Sequence, residues 1–349
     1  MKHFYALLLA GGRGSRLWPV SRPDRPKPLL SLTEKRSLFQ ITAERIQELF
    51  APDQIYVVTQ RDLKNPLMQD VPAIPPQNYF CEPCSRDTAP AMGLGIFSIA
   101  QHDPDAIIAI LPSDHIIEQT DTLLEALRAA CHVAQQGSIV VLGVSPTYSA
   151  TEYGYIKQGE ILCETNGFNV YQAQGFVEKP DRAAAEAFIS TGRYSWDAGL
   201  VIASARTLIR EFERQQPTMA QTLKAIAASN SPIDEIWATL ESISFDYAIM
   251  EHAAQIAVIP VDMGWQDIGS WAAIYKTLPK DTHGNASITT AQPPILINTQ
   301  RSLIWSERLV VALGIEDLII VDTPDALLIC KRDHAQHIRY FASNDVKRI

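Results

Sequence analysis

Four short runs with almost no polar residues set the tightest limit on the fold. They are Tyr5 to Ala10, Ile55 to Thr59, Ala106 to Leu111 and Ser138 to Gly143. Helical patterns lie between them. Ser37 reads as an N-cap ahead of Leu38, Ile41, Arg45, Ile46 and Leu49, followed by the small-residue stretch Ala89 to Gln101 and by Asp121 to Gln136. A strand with no polar face must be covered on both faces, so the alternation predicts an α/β fold with a mixed, mostly parallel sheet. Ligands of such sheets bind beyond the carboxyl ends of the strands. Residues just after Ala10, Leu111 and Val261 are therefore placed for function.

After about residue 290 the pattern changes. Short strands follow one another with no helix between them: Ile295 to Asn298, Ser302 to Trp305, Leu309 to Leu313, Leu318 to Val321 and Ala326 to Cys330. This predicts a small C-terminal β-rich, β-helix-like domain. The polar turn Asp281 to Asn285 marks the boundary, giving a first domain over 1–285 and a β-rich domain over 286–349. Open sheet edges need cover, so either a homodimer or docking onto the first domain is expected.

The 349 residues are 46% hydrophobic and 20% charged, which excludes wholesale disorder. No apolar run reaches the ~18 residues of a membrane span. The apolar stretch Phe4 to Ala10 is too short for a signal peptide and runs straight into glycines. Five cysteines without framework spacing point to a reducing, cytoplasmic setting. The net charge of −9 speaks against nucleic acids and anionic membranes as partners. Locally the balance inverts: residues 13–36 hold seven basic and only two acidic side chains, Asp24 and Glu34. A small polyanion would suit that segment.

The segment from Leu9 to Pro19 carries the most chemical information. Gly11, Gly12 and Gly14 follow a strand directly, and backbone without Cβ atoms can approach an anion closely. Arg13 and Arg16 add guanidinium forks, and Lys27 is stiffened between Pro26 and Pro28. No Lys-Ser/Thr pair completes a Walker loop, and Leu17 stands where a dinucleotide fingerprint needs glycine. A plain glycine-rich turn with exposed arginines remains the bland alternative.

Ala10 to Pro19, followed by Pro26-Lys27-Pro28, resembles the signature of sugar-1-phosphate nucleotidylyltransferases. The Trp18-Pro19 version resembles the bacterial mannose-1-phosphate guanylyltransferase branch. Glu82-Pro83 with Arg86 to Ala91, Leu111 to His115, Tyr153 to Ile156, Phe176 to Pro180, Phe245 to Glu251 and Gly264 to Trp271 follow in that branch's order. The resemblance covers nearly the whole chain. It implies a Rossmann-like nucleotidyltransferase domain that transfers GMP from GTP to mannose 1-phosphate, giving GDP-mannose and pyrophosphate. Other hexose- or heptose-1-phosphates, another nucleoside triphosphate, a weakly active regulatory paralogue and a glycosyltransferase are the competing readings.

Such a reaction needs no general base, because the attacking phosphate is already an anion. It needs positioning, cations and a divalent metal. The resemblance implies nucleotide contacts from Ala10, Gly11, Gly12, Arg13, Gly14, Ser15, Arg16, Lys27, Glu82, Arg86, Thr88, Pro112, Ser113 and Asp114. It assigns Mg²⁺ to Asp114 and Asp267, catalytic roles to Arg16, Lys27 and these two aspartates, and the sugar phosphate to Gly154, Glu178, Lys179 and Asp197. As single residues, Asp114 and Asp267 could equally cap a helix or close a turn. Glu178-Lys179 could be an exposed pair before a helix. The family usually has asparagine and serine where this chain has Asp197-Ala198. A carboxylate accepts but does not donate, which leaves the exact sugar open.

Other features are bland. Cys81 and Cys84 have metal-like spacing without a second pair, and structural zinc needs four ligands. His115 reads as a structural residue, and Asp103-Pro-Asp105 as a turn. Some members of the family carry a further cupin-type phosphomannose isomerase domain. This sequence shows no later cluster of histidines and a glutamate suited to that metal, so isomerase activity is not expected.

Overall fold

The computed structural model describes residues 2–32, 35–229, 233–290 and 292–340. Glu34, counted in the basic segment, and the last nine residues of the β-rich tail lie outside this set. In chain order the first eleven strands are β1 (Phe4–Leu9), β2 (Ile55–Gln60), β3 (Tyr79–Glu82), β4 (Ile107–Pro112), β5 (His115–Ile117), β6 (Ile139–Val144), β7 (Tyr155–Thr165), β8 (Phe168–Val177), β9 (Tyr194–Ser204), β10 (Ile256–Pro260) and β11 (Trp265–Asp267). Two compact units form. One contains Met1–Gly11, Ala43–Ser113 and Ile117–Trp265; the other contains Gly12–Thr42, Asp114–Ile116 and the chain from Gln266 onward.

The first unit holds a nine-stranded sheet in the order β3-β2-β1-β4-β9-β6-β10-β8-β7. β1, β2, β3 and β4 pair in parallel, as do β6 and β10. β9 runs against both β4 and β6, and β8 runs against β10 and β7. Seven of the nine strands thus point one way. The mostly parallel expectation holds, and the sheet is mixed because β8 and β9 are reversed. The apolar runs become β1, β2, β4 and β6, and the last two are buried at five of six positions each. Helices Thr88–His102, Thr120–Ala134 and Ala205–Gln215 belong to this unit. Leu7, Ile108, Val141, Phe212 and the fully buried Trp237 share its core.

The β7–β8 hairpin is a feature that the apolar runs do not announce. Its signal was the dipeptide Asn166-Gly167, with both residues at positive φ (48° and 78°). That is the turn chemistry of a tight hairpin.

The second unit builds on β12 (Ala286–Thr289), β13 (Ile295–Ile297), β14 (Leu303–Ser306), β15 (Val311–Leu313), β16 (Leu318–Asp322) and β17 (Leu327–Lys331). β12, β14 and β16 pair in parallel, and so do β13 and β15. Each strand pairs with the strand after next, which is the winding of a β-helix, and β17 closes it in antiparallel fashion. Polar corners are satisfied inside the coil. Asn285 Nδ2 donates to the Thr299 carbonyl at 2.8 Å, and the Ser302 N–H donates to Asn285 Oδ1 at 3.1 Å. Ser37 does cap the helix Leu38–Arg45, accepting from the Gln40 N–H at 2.9 Å. Such a cap contributes about 1 kcal/mol. Leu17, Val20, Leu30, Trp271, Leu303 and Ile319 form one apolar core, so the glycine-rich segment folds with the coil. A division at residue 285 follows local pattern; the compact units follow packing.

Candidate active site

In the second unit, Gly14 takes a left-handed conformation at φ +69°. A Cβ there would lie 2.6 Å from the Cβ of Lys27, so the lysine stem rests directly on this backbone. Only glycine allows both the conformation and the contact. Ser21 Oγ donates to the Gly14 carbonyl at 2.5 Å and ties the turn. Lys27 opens a short 3-10 turn between its prolines and is only 6% exposed. Its ammonium reaches Asp114 Oδ2 at 2.7 Å and Asp267 Oδ1 at 3.5 Å. β5, which follows Asp114, pairs with β11, which ends in Asp267. Arg16 donates to Gln336 Oε1 at 2.9 Å. A Cβ on Gly269 would lie 3.2 Å from Asp267 Oδ2 and 3.4 Å from Arg16 Nη2, which puts these two side chains on the same glycine.

Burial works against the Lys27 charge, but attraction to Asp114 and Asp267 outweighs it, and its pKa is raised. Burial likewise opposes the Asp114 carboxylate, and Lys27 with His115 holds its pKa down nonetheless. Both members of the pair stay charged at neutral pH. Gly12 and Arg13 are exposed, and a Cβ on Gly12 would come no closer than 3.9 Å to Asp114 Oδ2. Ser15 begins a one-turn 3-10 helix that contains Arg16. The spacing suggested Lys27 as a phosphate ligand but gave no sign of this bridge to two aspartates.

In the first unit, three carbonyls at the strand ends are held by side chains. Thr59 Oγ1 donates to Ala10 O at 2.8 Å, Gln60 Nε2 to Gly11 O at 3.0 Å, and Ser113 Oγ to Leu9 O at 2.7 Å. Pro112 ends β4. Glu82 ends β3, is 4% exposed, and its Oε1 has no partner. A Cβ on Gly11 would sit 3.5 Å from its other oxygen. Burial, with a smaller push from Asp87, raises Glu82 to about 8. A buried carboxyl with an open oxygen beside a backbone lacking side chains is suited to a ligand that brings donors.

The loop after β3 is fixed by its neighbours. Trp237 Nε1 donates to Cys84 O at 2.8 Å, and Arg86 Nη2 to Ala238 O at 2.8 Å. Asp87 sits at φ +66° and accepts from the Thr88 N–H, while Thr88 Oγ1 accepts from the Phe245 N–H at 2.8 Å. Arg86 and Thr88 thus bind backbone, although Arg86 Nε is buried without a partner.

Also in the first unit, Gly154, Glu178, Lys179 and Asp197 come together. A Cβ on Gly154 would fall 2.8 Å from Glu178 Oε2 and 3.4 Å from the Asp197 Cβ. The Asp197 N–H donates to Gly154 O at 2.8 Å, and Asp197 Oδ1 accepts from the Gly199 N–H at 2.7 Å. Lys179, at φ +45°, is ion-paired to Glu178. Asp246 lies in the motif Phe245 to Glu251, for which the resemblance gave no single-residue role; it joins the cluster electrostatically, while Ser244 caps its helix by accepting from the Tyr247 N–H at 3.3 Å. Burial and Asp246 raise Asp197 to about 8; burial and Glu178 raise Asp246 to about 6.

A mostly parallel sheet in one unit, and in the other a glycine turn with a buried lysine held by two aspartates, are parts expected of an enzyme that moves phosphate-bearing groups. The chain belongs to the nucleotidyl transferase family: residues 5–284 match it, and residues 293–342 match the MannoseP isomerase/GMP-like beta-helix domain. It is 34% identical over 343 residues to the mannose-1-phosphate guanylyltransferase of Klebsiella pneumoniae, over 95% of this chain and 72% of that protein. It is 32% identical over 352 residues to the xanthan biosynthesis protein XanB of Xanthomonas campestris pv. campestris, over 98% of this chain and 73% of that one. A crystal structure named as mannose-1-phosphate geranyltransferase from Thermus thermophilus superposes with a TM-score of 0.88 at 33% identity, over 98% of both chains.

Proposed function

We propose that this chain transfers GMP from GTP to α-D-mannose 1-phosphate, releasing pyrophosphate and forming GDP-mannose. The observation that carries the reading is the buried Lys27 ammonium held by Asp114 and Asp267 against the Gly14 turn. An oxygen of the sugar phosphate attacks the α-phosphorus, a new P–O bond forms, and the bond to the β-phosphate oxygen breaks. Lys27 and Arg16 face the triphosphate and offset the charge gathering on the leaving pyrophosphate. Ala10, Gly11, Pro112 and Ser113 of the first unit contact the nucleotide, as do Gly12, Arg13, Gly14 and Ser15 of the second. Arg86 and Thr88 hold the loop that bears the base. Lys179 receives the sugar phosphate, and Glu178 accepts from sugar hydroxyls across Gly154.

Two carboxylates converging on one ammonium supply the hard oxygen donors that Mg²⁺ prefers. No cluster of three or more potential ligands forms a complete cage among the described residues. Mg²⁺ commonly takes one or two carboxylates and completes its shell with phosphates and water, so the donor set fits. Asp114 and Asp267 would hold it, where it would neutralise phosphate charge.

A matrix of four nucleoside triphosphates against several sugar 1-phosphates, scored by pyrophosphate release, tests the reading. Turnover confined to another pair of substrates overturns it. Lys179→Ala is expected to raise KM for mannose 1-phosphate by roughly 10- to 100-fold, the worth of one charged hydrogen bond, with a smaller effect on KM for GTP. Glu82, which gives up its proton to solvent when the guanine donors replace the missing partners of its buried carboxylate, is proposed to accept from the N1–H and 2-amino group of guanine, and adenine cannot supply the donor at N1. Glu82→Gln should therefore lower the preference for GTP over ATP by at least about 10-fold. An unchanged ratio would remove Glu82 from base recognition.

A further inference from the structure

The sugar-phosphate cluster has a charge problem that its assigned roles leave unsolved. Glu178 and Asp197 crowd the same glycine, where a Cβ on Gly154 would lie 2.8 Å from Glu178 Oε2 and 3.4 Å from the Asp197 Cβ; Lys179 is already paired to Glu178, and the Asp246 carboxyl acts on both Asp197 and Lys179 through its charge. A sugar phosphate brings up to two more negative charges at neutral pH, since the second pKa of a phosphate monoester is ≈ 6. A dianion does not settle beside three carboxylates and one spent cation. At least one carboxyl must be neutral when the substrate binds.

The geometry selects Asp197. Its backbone N–H is tied to Gly154, and its Oδ1 accepts from the Gly199 N–H, which fixes the side chain. No described residue donates to its other oxygen. A proton on that oxygen converts an acceptor into a donor, beside the Gly154 backbone that Glu178 also flanks. We infer that Asp197 binds the sugar phosphate as the neutral acid, its carboxyl proton donated to an oxygen of that substrate. This rests on the reading of Lys179 as a sugar-phosphate ligand. The groups facing Asp197 are Glu178 and Lys179 beyond β8 and Asp246 on the helix Phe245–Ala248; Asp87 in turn acts on Asp246, and Tyr247 on Lys179. The ammonium has a raised pKa, with burial opposed by Glu178, so it stays charged through the range in which Asp197 ionises. Asp197 thus does by protonation what an amide would do at any pH.

The test is KM for mannose 1-phosphate at saturating GTP, from pH 7 to 9.5, where the substrate's own ionisation is complete. The natural protein is expected to show constant KM up to about pH 8, where Asp197 loses its proton. Above that, KM should rise about tenfold per pH unit. Asp197→Asn keeps a donor at every pH and should hold the low KM throughout. Asp246→Asn relieves the repulsion and should move the rise to lower pH, which gives a second test if Asp197→Asn does not fold. A flat profile in the natural protein, or the same rise in Asp197→Asn, overturns the inference. An unchanged KM in Lys179→Ala overturns the underlying assignment instead, so the two failures are distinct.

Discussion

Asp267→Asn will lower kcat/KM by about 10³-fold or more while the protein melts within a few degrees of its natural temperature. The activity loss follows from two jobs of one carboxylate. It fixes the Lys27 ammonium from one side at 3.5 Å, and it is one of two groups suited to Mg²⁺. Removing one preorganised group that acts on developing phosphate charge commonly costs 10²–10³-fold, and weakening a metal adds to that. The stability effect is small for a geometric reason. Asp267 is 29% exposed and its contact with Lys27 is long, whereas Asp114 remains at 2.7 Å. Asp114→Asn differs on this point. It removes the short partner of a buried ammonium, a change that costs about 3–5 kcal/mol, so its lost activity would be entangled with unfolding. Pyrophosphate release against Mg²⁺ concentration, with melting curves on the same samples, separates these cases. Near-natural turnover by Asp267→Asn would remove it from the metal assignment.

What the sequence showed and what it hid divide along local and non-local lines. The apolar runs, the Ser37 cap and the succession of short C-terminal strands are local, and they appear where the residues foretell them. The placement of β9 between β4 and β6 is not local. Its apolar residues Leu200 to Ala203 suit a parallel or an antiparallel neighbour equally. The same limit governs the sites. Lys27, Asp114 and Asp267 could each be named from motifs, but their union across 240 residues of sequence is tertiary. Glu82 could be assigned to a nucleotide by resemblance, whereas its missing partner and raised pKa come from burial alone. Asp246 stood inside the motif Phe245 to Glu251, but its action on Asp197 arises only where the fold brings the two carboxyls near each other.

Lys27→Met is expected to destabilise the protein by about 3–5 kcal/mol and to lower kcat by at least about 100-fold. Methionine matches the stem that packs on Gly14, so no cavity forms and the lost charge is isolated. Asp114 is then left partly buried with its main partner gone. The pH dependence identifies the pair. Asp114 has a lowered folded pKa, so its share of the stability is present above the unfolded value near 3.9 and is lost as pH falls through the folded value. Lys27 has a raised folded pKa, so its share is present below the unfolded value near 10.4 and is lost as pH rises through the folded value. The stability gap between natural protein and Lys27→Met should therefore narrow as pH falls, first as Asp114 protonates in the variant, where burial is no longer offset by Lys27, and then as it protonates in the natural protein, closing below about pH 4. Lys27→Arg should not restore activity, because the planar guanidinium is broader than the ammonium that reaches both carboxylates beside Gly14. Urea titrations at several pH values measure the gap, and a gap that stays open at pH 3 would show that packing of the lysine stem, rather than its charge, holds this turn in place.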